Sequence, residues 1–350
     1  MESISKTANF NRVDFISNLR SWALLHNVSH ISLRELLKLL QILNLSLPND
    51  PRSVLHTPSN LQHGIIDVPP GKYWHFGLVR AINLVLEKTS DYPPELHIDI
   101  SIDGIPISKS SKGQFWPILC SIHCFETQPL VIGVYYGMSK PSSVNSFLAK
   151  FLEEAEANQV IYKESRKIAL KIRNFICDAP ARSYLKGIKA HNGYFSCERC
   201  NEEGDYNNST HQMCFPNVSR TIRTNATFRE KCHEDHHTHQ SSIEKLPIDM
   251  INNFPLDDMH LLCLGVMKKL LLIWIKNRSL KTKLSAKNIE EISSKLISTR
   301  VHTSIEFNRV ARGLDVISYW KATELRTFLM YLGPMVLKDV VNQQGNQLLN

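Results

Sequence analysis

The sequence predicts an α/β fold, because stretches with the two-residue period of strands alternate with stretches of helical period. Residues 96–103 alternate apolar and polar side chains, as in a strand that is buried on one face. Residues 115–122 and 130–136 are two further β-rich runs, so we expect a three-stranded meander. A helix over 144–157 then leads to an apolar strand over 172–177, which completes the α/β layer.

The N-terminal part has the spacing of helices. Apolar residues recur at intervals of three and four over residues 15–45, with Ser32 as the expected N-cap, and again over 74–87. Residues 48–64 are rich in Pro, Asn, Ser and His, which indicates a loop or linker. We therefore expect an N-terminal helical region with its linker over residues 1–90.

The second half of the chain changes character twice. Residues 197–240 are polar and rich in Asn, His and Cys, and so long a stretch without periodicity needs a staple of its own. Helical spacing then returns at 256–277, 286–298 and 321–332, and Gly333 with Pro334 predicts a stop. The expected regions are the first part of the core over 91–192, a Cys/His-rich insertion over 193–255, a helical insertion over 256–319 and a C-terminal core helix over 320–350.

Composition narrows the class of partner. The 350 residues carry a net charge of +8 and are 43% hydrophobic, which favours a globular protein with a polyanionic partner. The most apolar stretch, residues 261–275, is interrupted by Lys268 and Lys269 and is shorter than the roughly 20 residues that a membrane span needs. The first ten residues lack the apolar segment of an export signal, so the eight cysteines are expected to be reduced thiols.

Three acidic residues form the first candidate site. Asp103 and Asp178 each follow a predicted strand, and Glu324 lies on a late helix that can pack across the same edge of the sheet. Three converging carboxylates can hold two divalent ions about 3.5–4 Å apart, and oxygen ligands suit Mg²⁺ or Mn²⁺. Taken one by one, an Asp at a strand end is more often a turn former and a helical Glu is more often solvated.

A cysteine pair forms the second candidate site. Cys197 and Cys200 have the spacing of a zinc knuckle but supply only half of a tetrahedral site. Further ligands are available downstream, among His211, Cys214, Cys232, His233, His236, His237 and His239. The alternative is that these thiols and imidazoles are unliganded loop residues.

Four segments of the chain resemble the CACTA-related cut-and-paste DNA transposases. They contain Asp103 (IDGIPISKSSKGQFWPIL), Asp178 (FICDAPARSYLKGIKAHNGYFSCERC), Asp257 (FPLDDMHLLCLGVMKKLL) and Glu324 (YWKATELRTFLMYLGP). They follow one another in the order found in that family, and the likeness covers roughly residues 19–337. The resemblance implies an RNase H-like catalytic core with a zinc-binding and helical insertion.

The resemblance also implies roles for particular residues. Asp103, Asp178 and Glu324 would be the ligands of two Mg²⁺ or Mn²⁺ ions that serve DNA strand cleavage and strand transfer. Cys197 and Cys200 would bind a structural Zn²⁺, with His236 and His237 as its further ligands. Asp257 and His260 would support the site, either as an N-cap with a first-turn residue or as a zinc ligand, a DNA contact or a partner of an acid.

The partner implied by the resemblance is double-stranded DNA, both the terminal repeats of an element and its target site. This implies a nuclear location and leaves a homo-oligomer open. Seven basic residues near the acids are expected to contact phosphates: Lys109, Lys112, Arg173, Arg182, Lys186, Lys189 and Arg199. One alternative is a catalytically inactive fragment or domesticated remnant that binds DNA or protein, since the chain ends soon after Glu324. Another is a two-metal nuclease without strand transfer.

Overall fold

The computed structural model describes residues 11–43, 45–57, 64–89, 91–123, 125–126, 128–217, 220–276 and 283–338. The chain divides into two compact units, Met1–Ile65 and Ile66–Asn350. Among the described residues, no helix has the length and apolar character that crossing a membrane requires.

The first unit is a small helical cluster. It consists of α1 (Arg12–Leu25), α2 (His30–Ile42) and α3 (Pro51–Leu55) around a core of Ala23, Leu33, Leu37, Leu47 and Val54. The side chain of Ser29 accepts the N–H of Ser32 at 3.1 Å, so Ser29 is the N-cap of α2 and the prediction of Ser32 was wrong. Helix α3 interrupts the predicted loop over 48–64, because Asp50 caps it and Pro51 suits a first turn.

The second unit is built on one mixed sheet of eight strands. These are β1 (Ile65–Val68), β2 (Gly71–His75), β3 (Glu95–Ile102), β4 (Ile105–Pro106), β5 (Gln114–Ile122), β6 (Leu130–Gly137), β7 (Val160–Lys163) and β8 (Arg166–Ile176). Their order across the sheet is β1-β2-β6-β5-β3-β8-β7, and β4 pairs with β5. The predicted α/β class is confirmed.

The connections place β3 and β8 side by side. Strands β3, β5 and β6 form the predicted antiparallel meander. Helix α5 (Val144–Ala157), at its predicted position, then leads through β7 to β8, which runs parallel to β3. Strand β8 begins six residues before the predicted residue 172, because its first half pairs with β7 and buries Ile168 among basic residues. As β3 and β8 are parallel, the residues after both strands lie at the same edge of the sheet.

Helices α4 (Leu78–Leu86) and α5 belong to the core of this sheet. Phe147 makes edge contacts with Tyr73 and Tyr135, and Phe151 makes one with Phe175 on β8. Burying each such aromatic side chain contributes about 1.5–3 kcal/mol.

The predicted helix over 74–87 begins only at Leu78, because its first two predicted residues belong to β2.

The polar insertion is less independent than its sequence suggests. After β8 come α6 (Ala179–Lys186), the hairpin β9 (Asp205–Asn207) with β10 (Gln212–Cys214), and α7 (Asn225–Arg229). Its apolar residues Phe228, Ile243, Met250 and Phe254 are all buried in the same core as the sheet. Packing therefore holds the end of the insertion, whereas the staple expected for residues 197–240, in whose described part only Phe228 belongs to this core, stays a prediction.

The C-terminal helices enclose a separate core. A π-helix over Met259–Met267 continues into α8 (Lys268–Lys276), followed by α9 (Ala286–Ser298) and α10 (Ala322–Thr327). Residues such as Leu271, Leu296 and Phe328 form this core. A Cβ atom on Gly265 would lie 2.8 Å from the carbonyl oxygen of His260, so the wide turn of the π-helix fits a glycine at this position.

The predicted helix over 321–332 is present but continues further. Helix α10 passes into a π-helix over Phe328–Leu332, and helical backbone runs through Gly333 and Pro334 to residue 338. The predicted stop was wrong, because the N–H of Gly333 bonds to Phe328 five residues back and the wider turn reduces the clash of a proline ring. Helix α10 also packs against the π-helix Met259–Met267.

Candidate active site

Two parallel strands bring two of the predicted acids together. Asp103 follows β3 and Asp178 follows β8, and the paired residues Ser101 and Ile176 set both chain ends at one edge. A cleft of about 240 Å³ at this edge is lined by Asp103, Asp178, Asp257 and His260. We call these four residues the acid cleft.

Local backbone groups hold one oxygen of each aspartate. Asp103 Oδ1 accepts the N–H of Gly104 at 2.7 Å, and Asp178 Oδ1 accepts the N–H of Ala181 at 2.7 Å, which caps α6. These bonds fix the orientation of both carboxylates and leave the second oxygen of each available to a ligand.

Opposing effects act on the pKa of Asp103. Burial raises the pKa of Asp103, and the charge of Asp178 raises it further, whereas the Gly104 N–H and His260 lower it; the net shift is upward. The fold thus holds Asp103 where its negative charge is unfavourable, and a bound cation would offset that cost.

Asp257 and His260 form a hydrogen-bonded pair in the cleft. One oxygen of Asp257 accepts the N–H groups of Met259 and His260, at 2.9 and 3.3 Å, and the other accepts from Nδ1 of the His260 ring. This bond raises the pKa of His260, burial lowers it, and the charges of Asp257, Asp178 and Asp103 raise it again, so that the net shift is upward. The Asp-x-x-His spacing is the sequence signal for this pair, and of the roles left open the structure favours an N-cap that also orients an imidazole beside the acids.

The structure places Glu324 in different surroundings. Its buried carboxylate accepts from Nε and Nη2 of Arg312 at 2.6 and 2.8 Å, and from the backbone N–H of Lys321 at 2.8 Å. Burial alone would raise the pKa of Glu324, but the bonds from Arg312 and Lys321 lower it below its ordinary value. Glu324 does not line the acid cleft, in which Asp257 is the third carboxylate. No spacing in the sequence identifies Arg312 as its partner.

The cysteines and histidines of the insertion form two separate pairs. The Sγ atoms of Cys197 and Cys200 lie 3.1 Å apart, and the rings of His236 and His237 lie 5.3 Å apart. Burial lowers the pKa of His236 to about 3 and that of His237 to about 4, so both rings are neutral, as metal ligands must be.

These two pairs contain donor atoms for a metal but do not form a complete site. His236 Nδ1 bonds to the carbonyl of Phe195 at 2.7 Å, whereas His236 Nε2 and both ring nitrogens of His237 are buried without a partner among the described residues. Within those same residues, no three His, Cys, Asp or Glu side chains are grouped so that they can hold a metal ion.

Four of the basic residues expected to contact phosphates have structural partners. Arg182 and Lys186 are buried and bind Glu198 at 2.7 and 3.1 Å. Arg199 donates to the carbonyls of Ile251 and Phe254, and Arg173 binds Asp99. Burial speaks against a phosphate contact for Arg182 and Lys186, whereas the contact stays a prediction for the partly exposed Arg173 and Arg199 and for the exposed Lys109, Lys112 and Lys189. We call Glu198, Arg182 and Lys186 the insertion anchor.

Comparison of the chain with protein-family models and with curated proteins found no match.

Proposed function

We propose that this chain is the catalytic region of a DDE-type DNA transposase, related to the CACTA group, that cleaves DNA strands and transfers the ends of an element. The observation that carries the proposal is the acid cleft, where Asp103 and Asp178 extend from adjacent parallel strands beside Asp257 and His260. Carboxylates placed in this way at a sheet edge are a common solution for binding the metal ions of phosphodiester chemistry.

The order of the strands supports an RNase H-like core. Three antiparallel strands, β3, β5 and β6, are followed by α5 and by β8, which returns parallel to β3. This arrangement puts the first strand at the centre and the two acids on neighbouring strand ends. The helical C-terminal part, which packs on the π-helix of His260, then supplies the region in which the third acid is expected.

The donor chemistry of the acid cleft suits a divalent metal ion, although its side chains would have to draw closer together to hold one, because no three of them are grouped for this among the described residues. It offers hard oxygen donors, one oxygen of each aspartate is not used by the backbone, and the mutual repulsion of Asp103 and Asp178 favours a cation. Bound Mg²⁺ or Mn²⁺ would supply an activated nucleophile and charge stabilisation. The third ligand is either Glu324, which would have to leave Arg312, or Asp257, which already lines the cleft.

The residues of the chain have distinct tasks in this proposal. Asp103 and Asp178 would hold the metal ions, which would supply charge stabilisation at the reacting phosphate. Asp257 binds Nδ1 of His260 and raises the pKa of its ring, which favours the cationic form that can bind an anionic phosphate oxygen through Nε2. Arg312 offsets the charge of Glu324, and this ion pair would have to open if Glu324 is the third metal ligand.

The proposal includes a structural Zn²⁺ in the insertion, a nuclear location and a homo-oligomer. Cys197 and Cys200 are the first two zinc ligands, and the unpaired buried nitrogens of His236 and His237 support these residues as the others. Binding by all four would require the thiol pair and the imidazole pair to approach each other.

The test is Mn²⁺-dependent nicking and strand transfer on pre-cut candidate element ends. Asp103→Ala and Asp178→Ala are each expected to lower the rate at least about 1000-fold, because each removes a metal ligand. Asp67→Ala, an exposed acid outside the cleft, is the control and should keep the wild-type rate. Comparing Glu324→Gln with Asp257→Asn identifies the third ligand, and the zinc content of the same preparations tests the structural metal.

A catalytically inactive DNA-binding module is the second candidate, and one observation favours it. Glu324 is fully engaged by Arg312, as expected for an acid that has become structural. If the folded wild-type protein binds DNA but shows no metal-dependent nicking, the catalytic proposal is wrong and this alternative stands.

A further inference from the structure

A groove leaves the acid cleft along one helix. A cavity of about 580 Å³ is lined by Asp178, Asp257, His260, Leu261 and Phe215, so it shares three residues with the acid cleft. Further along, a second cavity of about 580 Å³ is lined by residues of the π-helix, α8 and β10: Leu264, Lys268, Lys269, Lys276 and Gln212. Both cavities have the same continuous helix as one wall and the β10 segment, from Gln212 to Phe215, on the other side.

We infer that this groove binds the sugar-phosphate backbone of a DNA strand, with Lys268, Lys269 and Lys276 as the phosphate contacts. We call these three residues the lysine groove. The inference rests on the proposed function in taking DNA as the ligand, and it adds where the strand leaves the site and which cations hold it there.

Among the described residues, no carboxylate offsets the charge of the lysine groove. Lys268 and Lys276 donate to the carbonyl and the hydroxyl of Ser318, at 3.1 and 3.2 Å, and Lys269 donates to Gln212 Oε1 at 3.3 Å. All three acceptors are neutral, and in the described part of the chain none of the three lysines has a carboxylate within ion-pair distance. Lysines elsewhere in the molecule, such as Lys72, Lys150 and Lys171, do pair with carboxylates.

The dimensions suit a nucleic-acid strand. His260 and Lys276 are 16 residues apart, which corresponds to at most about 24 Å of helix, because the α-helical rise of 1.5 Å per residue exceeds that of the π-helical part. Successive nucleotides of one strand are about 3.4 Å apart along the axis, so the wall spans at most about seven of them. The strand would present one phosphate to the acids and His260 and later phosphates to the lysines.

The position of the lysines in the helix explains why they line the groove. Cys263, Met267 and Leu271 are buried in the C-terminal core, and this leaves the neighbouring Lys268 and Lys269 at the surface of the same helix. Partly buried Leu264 and Leu272 form the apolar floor between them, which suits the carbon face of a deoxyribose. The groove also supplies cations that Arg182 and Lys186 cannot, since those two are buried against the carboxylate of Glu198.

The experiment measures the binding of a labelled DNA duplex by fluorescence anisotropy at several salt concentrations. The variant is Lys268→Gln/Lys269→Gln/Lys276→Gln, and the matched control is Lys72→Gln/Lys150→Gln/Lys171→Gln, which removes the same charge from exposed, paired lysines. Each lost phosphate contact lowers the slope of log K against log salt by about 0.9, so the groove variant should lose up to roughly 2.7 and the control little.

Several outcomes would overturn the inference. The slope could be unchanged in the groove variant, or the control variant could lose as much. Loss of binding to vesicles of anionic lipid, with the DNA slope unchanged, would assign the groove to a membrane surface. If the triple variant fails to fold by circular dichroism, Lys269→Gln replaces it, with an expected loss of about 0.9 in slope.

The result separates this inference from the proposed function. Asp103→Ala should bind DNA with the wild-type slope, because it removes no cation. If neither wild type nor any variant nicks DNA but the groove variant still has a lower salt slope, the catalytic proposal is wrong and the inference on the groove is supported. If the wild type nicks DNA and the groove variant keeps its slope, the groove fails and catalysis stands.

Discussion

The acid cleft and the insertion anchor both place carboxylates beside basic side chains, but the balance of positive and negative charge differs between them. In the anchor, Glu198 lies buried against Arg182 and Lys186, and each charge has a partner. In the cleft, Asp103 and Asp178 lie close enough to raise the pKa of Asp103, with a single imidazole nearby. A carboxylate whose charge is already offset stabilises the fold, whereas carboxylates that repel one another need a ligand from outside. The difference separates a structural from a functional role more clearly than residue type does.

Breaking the anchor should have the largest effect on stability. Glu198→Ala leaves Arg182 and Lys186 buried without a counter-charge, which costs about 3–5 kcal/mol. Urea unfolding followed by circular dichroism measures this change. Because Arg182 also reaches the carbonyls of Cys177 and Pro255, beside both ends of the site, nicking should fall together with stability.

Glu203 supplies the matched control, since it is an exposed glutamate in the same segment. Glu203→Ala should change the free energy of unfolding by no more than about 0.5 kcal/mol. Equal effects of the two substitutions would contradict a structural role for the anchor.

Substitution of Glu324 tests whether this third predicted acid has a structural role, like Glu198, or a role in the reaction. If its place with Arg312 is structural, Glu324→Gln should lower the free energy of unfolding by about 1.5–3 kcal/mol, because a charge-assisted pair is lost. If Glu324 instead moves to the metal ions during the reaction, the same variant should also lose Mn²⁺-dependent nicking at full occupancy of DNA.

The dependence on pH gives the sign of this contribution. The folded protein lowers the pKa of Glu324 below its ordinary 4.5, so its stabilisation is complete above that value and is lost as pH falls through the folded pKa. The stability difference between wild type and Glu324→Gln should therefore shrink below about pH 4.5. A difference that stays constant into strong acid would rule out this pair as its source.

Much of the fold follows from periodicity, while the pairing of charges does not. The meander, α5 and the strand-end positions of Asp103 and Asp178 are predicted because the spacing of apolar residues in strands and in helices shows which face is buried. Strand β7 and the early half of β8 are missed because the mostly charged residues 163–167 separate and obscure the buried Ile161 and Ile168. The Asp-x-x-His spacing locates His260, but no spacing shows that Glu324 meets Arg312 or that Glu198, inside the Cys-x-x-Cys, meets Lys186. The residues of both pairs are 12 positions apart, and whether they meet depends on how the chain between them folds.

Removing the repulsion in the acid cleft should have the smallest effect and the opposite sign. Without divalent ions, Asp103→Asn should raise the free energy of unfolding by up to about 0.5 kcal/mol, since the variant no longer places a charge beside Asp178. The pKa of Asp103 is raised above its ordinary 3.8, so wild type should lose stability relative to the variant as pH rises through the interval between 3.8 and the folded pKa.

With saturating Mn²⁺, wild type should become more stable than Asp103→Asn. An ion at 100 times its dissociation constant stabilises wild type by about 2.7 kcal/mol, and the variant, which lacks a ligand, gains much less. Thermal unfolding with and without Mn²⁺ measures both effects, and Asp67→Asn, in an exposed ion pair with Lys72, is the control. If Mn²⁺ stabilises wild type and Asp103→Asn equally, the ion binds elsewhere, and the repulsion between Asp103 and Asp178 does not mark a metal site.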